Sequence, residues 1–270
     1  MNYSVLMSVY KKEKASYLET AIESILNQTK KTNDFVILCD GPLTEELDSL
    51  LNKYKKNPIF NIVRFEENRG LGTALNEGIH FCKNEYVLRM DSDDISRSDR
   101  AEKEIAFLDE GYDIVGSYIS EFANDDPNNI IGYRKPPIEN EELYKFAKKR
   151  CPVNHPSVMY RKSKIIEAGN YQPLLYVEDF YLWVRSMLNG CKFHTIPEPL
   201  VNMRSGLGMS SRRGGKEYRK SHRFLFKFMK QHKFIGFFTY CMNCIKFTVY
   251  GSLNNNFKYK LKNKLLRKKS

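Results

Sequence analysis

The sequence has no apolar run of the ~18–20 residues that a membrane-spanning helix needs. Its longest, Phe234 to Ile245, is broken by Thr239 and Asn243, so no integral span is expected. The six cysteines, at 39, 82, 151, 191, 241 and 244, follow no framework spacing, which argues against a disulfide-stapled domain. Cys241-x-x-Cys244 has no second pair and lies in an apolar run, so buried thiols are expected there rather than a zinc site. Met1-Asn2-Tyr3-Ser4-Val5-Leu6 enters a strand pattern with no basic leader or cleavage site, and the expectation is a reducing, cytoplasmic setting. Gly70-x-Gly72 has Leu75 in place of a third glycine, which excludes a dinucleotide fingerprint. Acid is nearly missing from the C-terminal part. Residues 212–270 hold 17 Lys/Arg against the single acid Glu217, so the remaining residues carry a net −4 of the total +12.

What is present is an alternation. Apolar runs at Ser4–Tyr10, Phe35–Cys39, Ile59–Phe65 and Tyr86–Met90 read as buried strands, separated by the helical spacing of Leu18, Ala21, Ile22, Ile25 and Leu26, then of 43–54 and 71–82. Such β-α-β-α-β-α-β order predicts an α/β fold with a mostly parallel sheet covered on both faces. Ligands of such sheets bind at the carboxyl ends of the strands, and this chain puts Tyr10, Asp40, Asn68 and Asp91/Asp93 at those four ends. After residue 95 the pattern is mixed: a helix over 100–108, a strand over 112–122, a hairpin-like loop at 124–129 and a helix over 141–149. Soft boundaries fall near 95 and 211, and no internal repeat is visible.

Asp91-Ser92-Asp93-Asp94 follows a buried strand directly. Three carboxylates in four residues repel one another unless something positive lies among them. Mg²⁺ or Mn²⁺ shared with substrate phosphate suits such a group, while an Asp-rich helix start is the plain structural alternative. Glu178-Asp179 precedes the apolar helical stretch 180–184. The pair therefore sits at a helix N-terminus, where the dipole favours ionised carboxylate.

Taken in order, Val5-Leu6-Met7-Ser8-Val9-Tyr10, Asp40-Gly41, Asn68-Arg69-Gly70-Leu71-Gly72, Arg89-Met90-Asp91-Ser92-Asp93-Asp94 and Glu178-Asp179 resemble the motifs of family 2 inverting glycosyltransferases with the GT-A fold, over residues 3 to about 210. The run from Cys151-Pro152-Val153-Asn154-His155-Pro156 to Ser163, and Arg212-Arg213-Gly214-Gly215, resemble the bacterial subgroup that builds capsule, exopolysaccharide or lipopolysaccharide sugars. The resemblance implies a Rossmann-like sheet flanked by helices. Residues 1–95 would form the nucleotide-sugar half, 96–211 the acceptor-side half of the same domain, and 212–270 a basic helical tail.

It also implies roles. Tyr10 would flank the nucleobase, Asp40 would accept the uracil N3–H, and Asn68, Gly70 and Gly72 would let backbone approach the nucleotide of a UDP-sugar. Asp91, with Ser92 beside it, would contact ribose or donor sugar, and Asp93 would ligate Mn²⁺ or Mg²⁺ on the diphosphate. His155, between two prolines, would touch the diphosphate, the metal or the acceptor. Trp183 would wall the acceptor site or pack in the core. Arg204 and Arg212, flanking a Gly/Ser/Met-rich loop, would close over the donor. Asp179 would be the general base and Glu178 its support. Processive members of the family carry Q-x-x-R-W, which this chain lacks, so one sugar per encounter is expected.

In the tail, Phe224, Leu225, Phe226, Phe228 and Met229 alternate with Arg223, Lys227, Lys230 and Lys233, ahead of Lys258-x-Lys260-x-Lys262-x-Lys264 and Arg267-Lys268-Lys269. A basic, aromatic stretch too short to span reads as an interfacial anchor on an anionic membrane, at the inner face of the cell membrane. That suits a glycan or lipid-linked saccharide acceptor. Nucleic acid is set aside as a partner, helical packing on the body with a solvated lysine face is the plain alternative, and a homodimer is compatible with the pattern. Two rival functions stand beside transfer: a catalytically silent nucleotide-sugar-binding scaffold, and a nucleotidyltransferase. The latter lacks its glycine- and lysine-rich loop, since Lys11-Lys12 follow the first strand without glycines.

Overall fold

The computed structural model describes residues 1–205 and 215–252; Arg212, most of the expected 205–211 loop and the lysine-rich 258–269 segment lie outside them. Four strands, β1 (Tyr3–Val9), β2 (Asp34–Cys39), β3 (Phe60–Arg64) and β4 (Tyr86–Asp91), run parallel in the order β3-β2-β1-β4. Their side chains alternate between two cores. Val5, Met7, Val9, Phe35, Ile37, Leu88 and Met90 face one, and Leu6, Val36, Leu38 and Val87 face the other, which is why the runs are continuously apolar. Helix α1 (Ala15–Leu26) covers the first face with Leu18, Ala21, Ile22 and Ile25, all fully buried. Each contributes on the order of 1–3 kcal/mol of transfer free energy. Helix α2 (Glu45–Tyr54) begins at Thr44, whose hydroxyl accepts the Leu47 N–H, with Glu45, Glu46 and Asp48 in its first turn suiting the dipole. Helix α3 (Leu71–Gly78) covers the second face; a Cβ on Gly78 would lie 2.1 Å from a Leu38 methyl, so only glycine lets it approach.

The same sheet continues past residue 95. A short β5 (Ile95–Ser96), helix α4 (Arg100–Asp109), β6 (Ile114–Ala123), β7 (Asp126–Arg134) and helix α5 (Asn140–Ala147) follow. Then come β8 (Met159–Arg161), helix α6 (Lys162–Glu167), helix α7 (Glu178–Leu188) and β9 (Phe193–Arg204). The strand order extends β4-β8-β6-β9-β5, with β8 antiparallel to β4 and β6, and β9 parallel to β6. The expected 124–129 loop is tighter than its sequence suggests: Asn124 and Asp125 adopt φ of 58° and 57°, and β7 begins at Asp126. Arg100 is a core residue, its Nε donating to Glu104 at 2.9 Å with both side chains fully buried.

The chain after residue 211 is not a separate appendage over its described part. Helix α8 (Gly215–Gln231) buries Tyr218, His222, Leu225, Phe226 and Met229, and packs with Ile235 against Val177, Phe180, Tyr181 and Val184 at and along α7. Helix α9 (Phe237–Ser252) returns alongside it, and Asn243 donates to the Lys148 carbonyl at 2.8 Å. Among the described residues, no helix is long and apolar enough to cross a membrane.

Candidate active site

At the ends of β2 and β3, Asp40 organises the neighbouring loop. Its Oδ1 accepts the Arg69 N–H at 2.7 Å, and its Oδ2 accepts Gly70 N–H and Asn68 Nδ2–H, each at 3.0 Å. Asn68 also donates to the Asp40 carbonyl at 3.0 Å. Gly41 makes this approach feasible: it has φ +85°, and a Cβ there would stand 2.7 Å from Asn68 N. The Asp40 and Asn68 side chains expected to meet a nucleotide are thus engaged with each other and with backbone amides. Tyr10, at the end of β1, is 37% exposed and presents its ring to solvent.

At the end of β4, carboxylate oxygens of Asp91, Asp93 and Asp94 lie within 4.8 Å of one another. Burial, then Asp91 and Glu13, push the Asp93 carboxyl up to about 7. Burial, then Asp93 and Asp91, push Asp94 well above the ordinary range. One Asp94 oxygen accepts the Arg204 N–H at 2.9 Å; the other is buried with no hydrogen-bond partner among the described residues. Such a group is short of positive charge, so it fits a hard divalent cation. His155 is not part of it. Its Nε2 hydrogen-bonds the Tyr171 hydroxyl at 3.0 Å and its ring packs edge-on to Trp183. Burial, then Arg89, push its pKa well below the usual range, so the ring is neutral and structural. Trp183 is fully buried and is core, not an acceptor wall.

Arg204 is fixed rather than poised. It ends β9, donates from Nε to the Asp93 carbonyl at 3.1 Å and from Nη1 to Asp125 at 2.7 Å, and stacks 3.6 Å over the Tyr17 ring. It clamps the acidic turn from outside. Ser92 donates to Glu13 Oε2 at 2.6 Å. Glu13 is the residue the pattern conceals: it sits among three lysines after β1, and only the fold brings it to the aspartates.

On the other side, Glu178 and Asp179 open α7. Asp179 Oδ1 accepts the Phe180 N–H at 2.7 Å, and Cys151 Sγ lies 3.6 Å from its Oδ2. Burial, then Asp179, push Glu178 up to about 7, with Arg89 opposing and Asp91 adding to the rise. Gly72 lies against this helix start. A Cβ on it would meet the Gln172 carbonyl at 3.0 Å and Glu178 Cβ at 3.3 Å, so its bareness lets α3 seat against the start of α7. Between the two acidic groups lies Arg89, 1% exposed, donating to Asp91 Oδ1; its Nε and Nη1 have no hydrogen-bond partner among the described residues.

Residues 4–169 match the family described as Glycosyl transferase family 2. An uncharacterized glycosyltransferase of Haemophilus influenzae is 40% identical over 229 residues, spanning 84% of this chain and 85% of that protein. The Escherichia coli UDP-Gal:alpha-D-GlcNAc-diphosphoundecaprenol beta-1,3-galactosyltransferase is 37% identical, spanning 80% of this chain and 78% of that one. Among solved structures, S. aureus TarS 1-349 in complex with UDP-GlcNAc superposes with a TM-score of 0.69 at 19% identity, covering 97% of this chain and 74% of that chain. At that identity it shows a shared fold, and this chain spans 46% of a longer TarS structure.

Proposed function

The chain belongs to glycosyl transferase family 2, and from that premise we propose that it moves one sugar from a UDP-sugar to a lipid-linked glycan acceptor, with inversion. The observation that carries this reading is one relationship. Arg89 bonds Asp91 in the acidic turn after β4, and its charge favours the ionised form of Glu178 at the acidic start of α7. The turn suits a nucleoside diphosphate with its cation, and the helix start suits a proton acceptor.

In this mechanism Asp179 takes the proton of the acceptor hydroxyl while that oxygen attacks the anomeric carbon from the face opposite the diphosphate. The bond from that carbon to the diphosphate oxygen breaks, and UDP departs. The N-terminal end of α7 puts the helix amides beside Asp179, and the Phe180 N–H donates to its Oδ1. The Cys151 thiol, hydrogen-bonded to its Oδ2, leaves the other oxygen shared with the helix amide and restricts rotation of the carboxylate. A divalent cation carried by Asp93 with Asp91 would offset the charge that develops on the leaving diphosphate. Tyr10 is positioned to stack on a base, and the Asp40-organised loop to present its backbone to the nucleotide. Relatives and structural neighbours support this donor and acceptor class: one acts from UDP-Gal on a diphosphoundecaprenol-linked sugar, and another binds UDP-GlcNAc. The same reading places the protein peripherally, at the inner face of the cell membrane, in surface-polysaccharide assembly.

The test is a panel of UDP-sugars with purified enzyme, reading UDP release with Mn²⁺, Mg²⁺ or EDTA, for the native chain and Asp179→Asn. Transfer should fall by roughly 10²–10⁴-fold in the variant while UDP binding persists. Full activity in Asp179→Asn would remove the assigned base. Binding without turnover for every donor would leave a silent nucleotide-sugar-binding protein instead.

A further inference from the structure

We propose that the outer face of α9 is an interfacial docking surface for an anionic lipid bilayer, and that it fixes α7, with Asp179 at its start, against that bilayer. The inference deepens the proposed function and rests on its lipid-linked acceptor.

Phe238, Met242, Ile245 and Val249 recur at i, i+4, i+7 and i+11, so they form one stripe on the helix. With Phe237 beside them, all are between 52% and 77% exposed. The opposite side of α9 is the one already used, with Tyr240, Cys244 and Phe247 packed against the α7–α8 core. A helix that exposes four large apolar side chains in register, with a fifth beside them, leaves an apolar face uncovered among the described residues. At 16 residues it is about 24 Å long, and it can lie in an interface but not cross one.

Helix α9 has no acid and a single cation, Lys246, whose ammonium lies 5.6 Å over the Phe247 ring. Burial, then Arg150 and Lys149, push that ammonium below its ordinary value. At the other end Lys230 lies 5.0 Å over the Phe237 ring. An apolar stripe rimmed by lysines matches acyl chains beneath anionic headgroups. A second copy would bring another acid-free α9 to this face, without the anions that headgroups supply.

Tyr181 of α7 packs edge-on to Phe228 of α8, with ring centroids 4.9 Å apart, and α8 joins α9 through His222 stacked on Phe247 at 4.3 Å. A bilayer that engages α9 therefore sets the height of α7 above the headgroups, where a lipid-linked hydroxyl emerges.

The experiment uses the full chain and vesicles of phosphatidylcholine with or without phosphatidylglycerol, scored by co-sedimentation. The native protein should bind the anionic vesicles, bind the neutral ones weakly, and release as salt is raised. Phe238→Glu/Ile245→Glu should weaken binding by at least about tenfold, with an unchanged circular dichroism spectrum. Phe238→Ser/Ile245→Ser should do so to a lesser degree, and it covers the case in which the charged variant folds poorly. Neither pair should alter transfer to a short water-soluble acceptor. Absence of binding to anionic vesicles, equal binding by both variants, or a native dimer that the variants abolish would each overturn the proposal. If native and variant chains alike fail to transfer to any acceptor while vesicle binding follows the pattern above, the enzymatic reading falls and the docking surface stands.

Discussion

Arg89 donates to Asp91 two residues further along the same strand, yet only Asp91 reaches solvent: the arginine is 1% exposed and the aspartate side chain 33%. The cation is thus inside and the anion at the surface. The same guanidinium favours the ionised form of Glu178 from across the site.

Removing that cation should be costly. Arg89→Met leaves Asp91 and Glu178 without that cation, and a loss of about 1–3 kcal/mol is expected for removing the charged hydrogen-bond partner of a half-buried carboxylate. Urea unfolding measures it. Arg89→Lys should recover little, since a point charge cannot replace the planar fork. A loss below about 1 kcal/mol would show that Arg89 does not offset these acids.

Asp93→Asn should separate stability from activity. The carboxyl is pushed up to about 7, so its ionised form is disfavoured by its surroundings, and the amide should leave stability at pH 8 unchanged or raised. Metal-dependent transfer should fall by about 10³-fold, the equivalent of several kcal/mol of lost charge stabilisation. Calorimetric titration with Mn²⁺ should show weaker uptake. Undiminished uptake would move the cation away from Asp93.

Glu178 gives a pH signature. Its folded-state value of about 7 lies above its ordinary 4.5. Between those values the folded chain binds more protons than the unfolded one. Its contribution to stability is therefore fully present below about 4.5 and is lost as pH rises through about 7. Glu178→Gln should flatten stability against pH across that window. In the native enzyme, kcat/KM should rise through about 7 as Glu178 ionises beside the assigned base; a flat profile in the native enzyme would contradict the assignment.

Asp40→Asn should act on donor binding. It replaces an acceptor with an amide that opposes the Gly70 or Arg69 N–H. Leaving one such donor unsatisfied costs about 1–3 kcal/mol. KM for the UDP-sugar should rise with little change in kcat, and equal losses in both would argue for a role in the chemical step.

The parallel half was legible in the sequence because its information is local. Four apolar runs, each ended by a polar or turn residue, fix β1–β4 and put Tyr10, Asp40, Asn68 and Asp91 at one edge. Strand β9 was not legible. Pro197 and Pro199 interrupt its pattern, and the fold absorbs them where its pairing with β6 shifts register around Tyr118. His155 and Gly72 each meet another part of the chain, Tyr171 and Glu178, and neither contact is announced by a polar ring or a bare backbone in the sequence. Glu13 and Cys151 carried no local signal. Their partners, Ser92 and Asp179, lie 79 and 28 residues away, and only folding supplies that proximity. Arg212 lies outside the described residues.

The Asp40 clasp on residues 68–70 has a consequence for affinity. A loop whose amides are already fixed by a carboxylate loses little conformational freedom when a nucleotide arrives, because that entropy was given up during folding. Donor capture should then be fast and weakly temperature-dependent, with discrimination among nucleotides arising from a rigid template rather than from closure around the ligand.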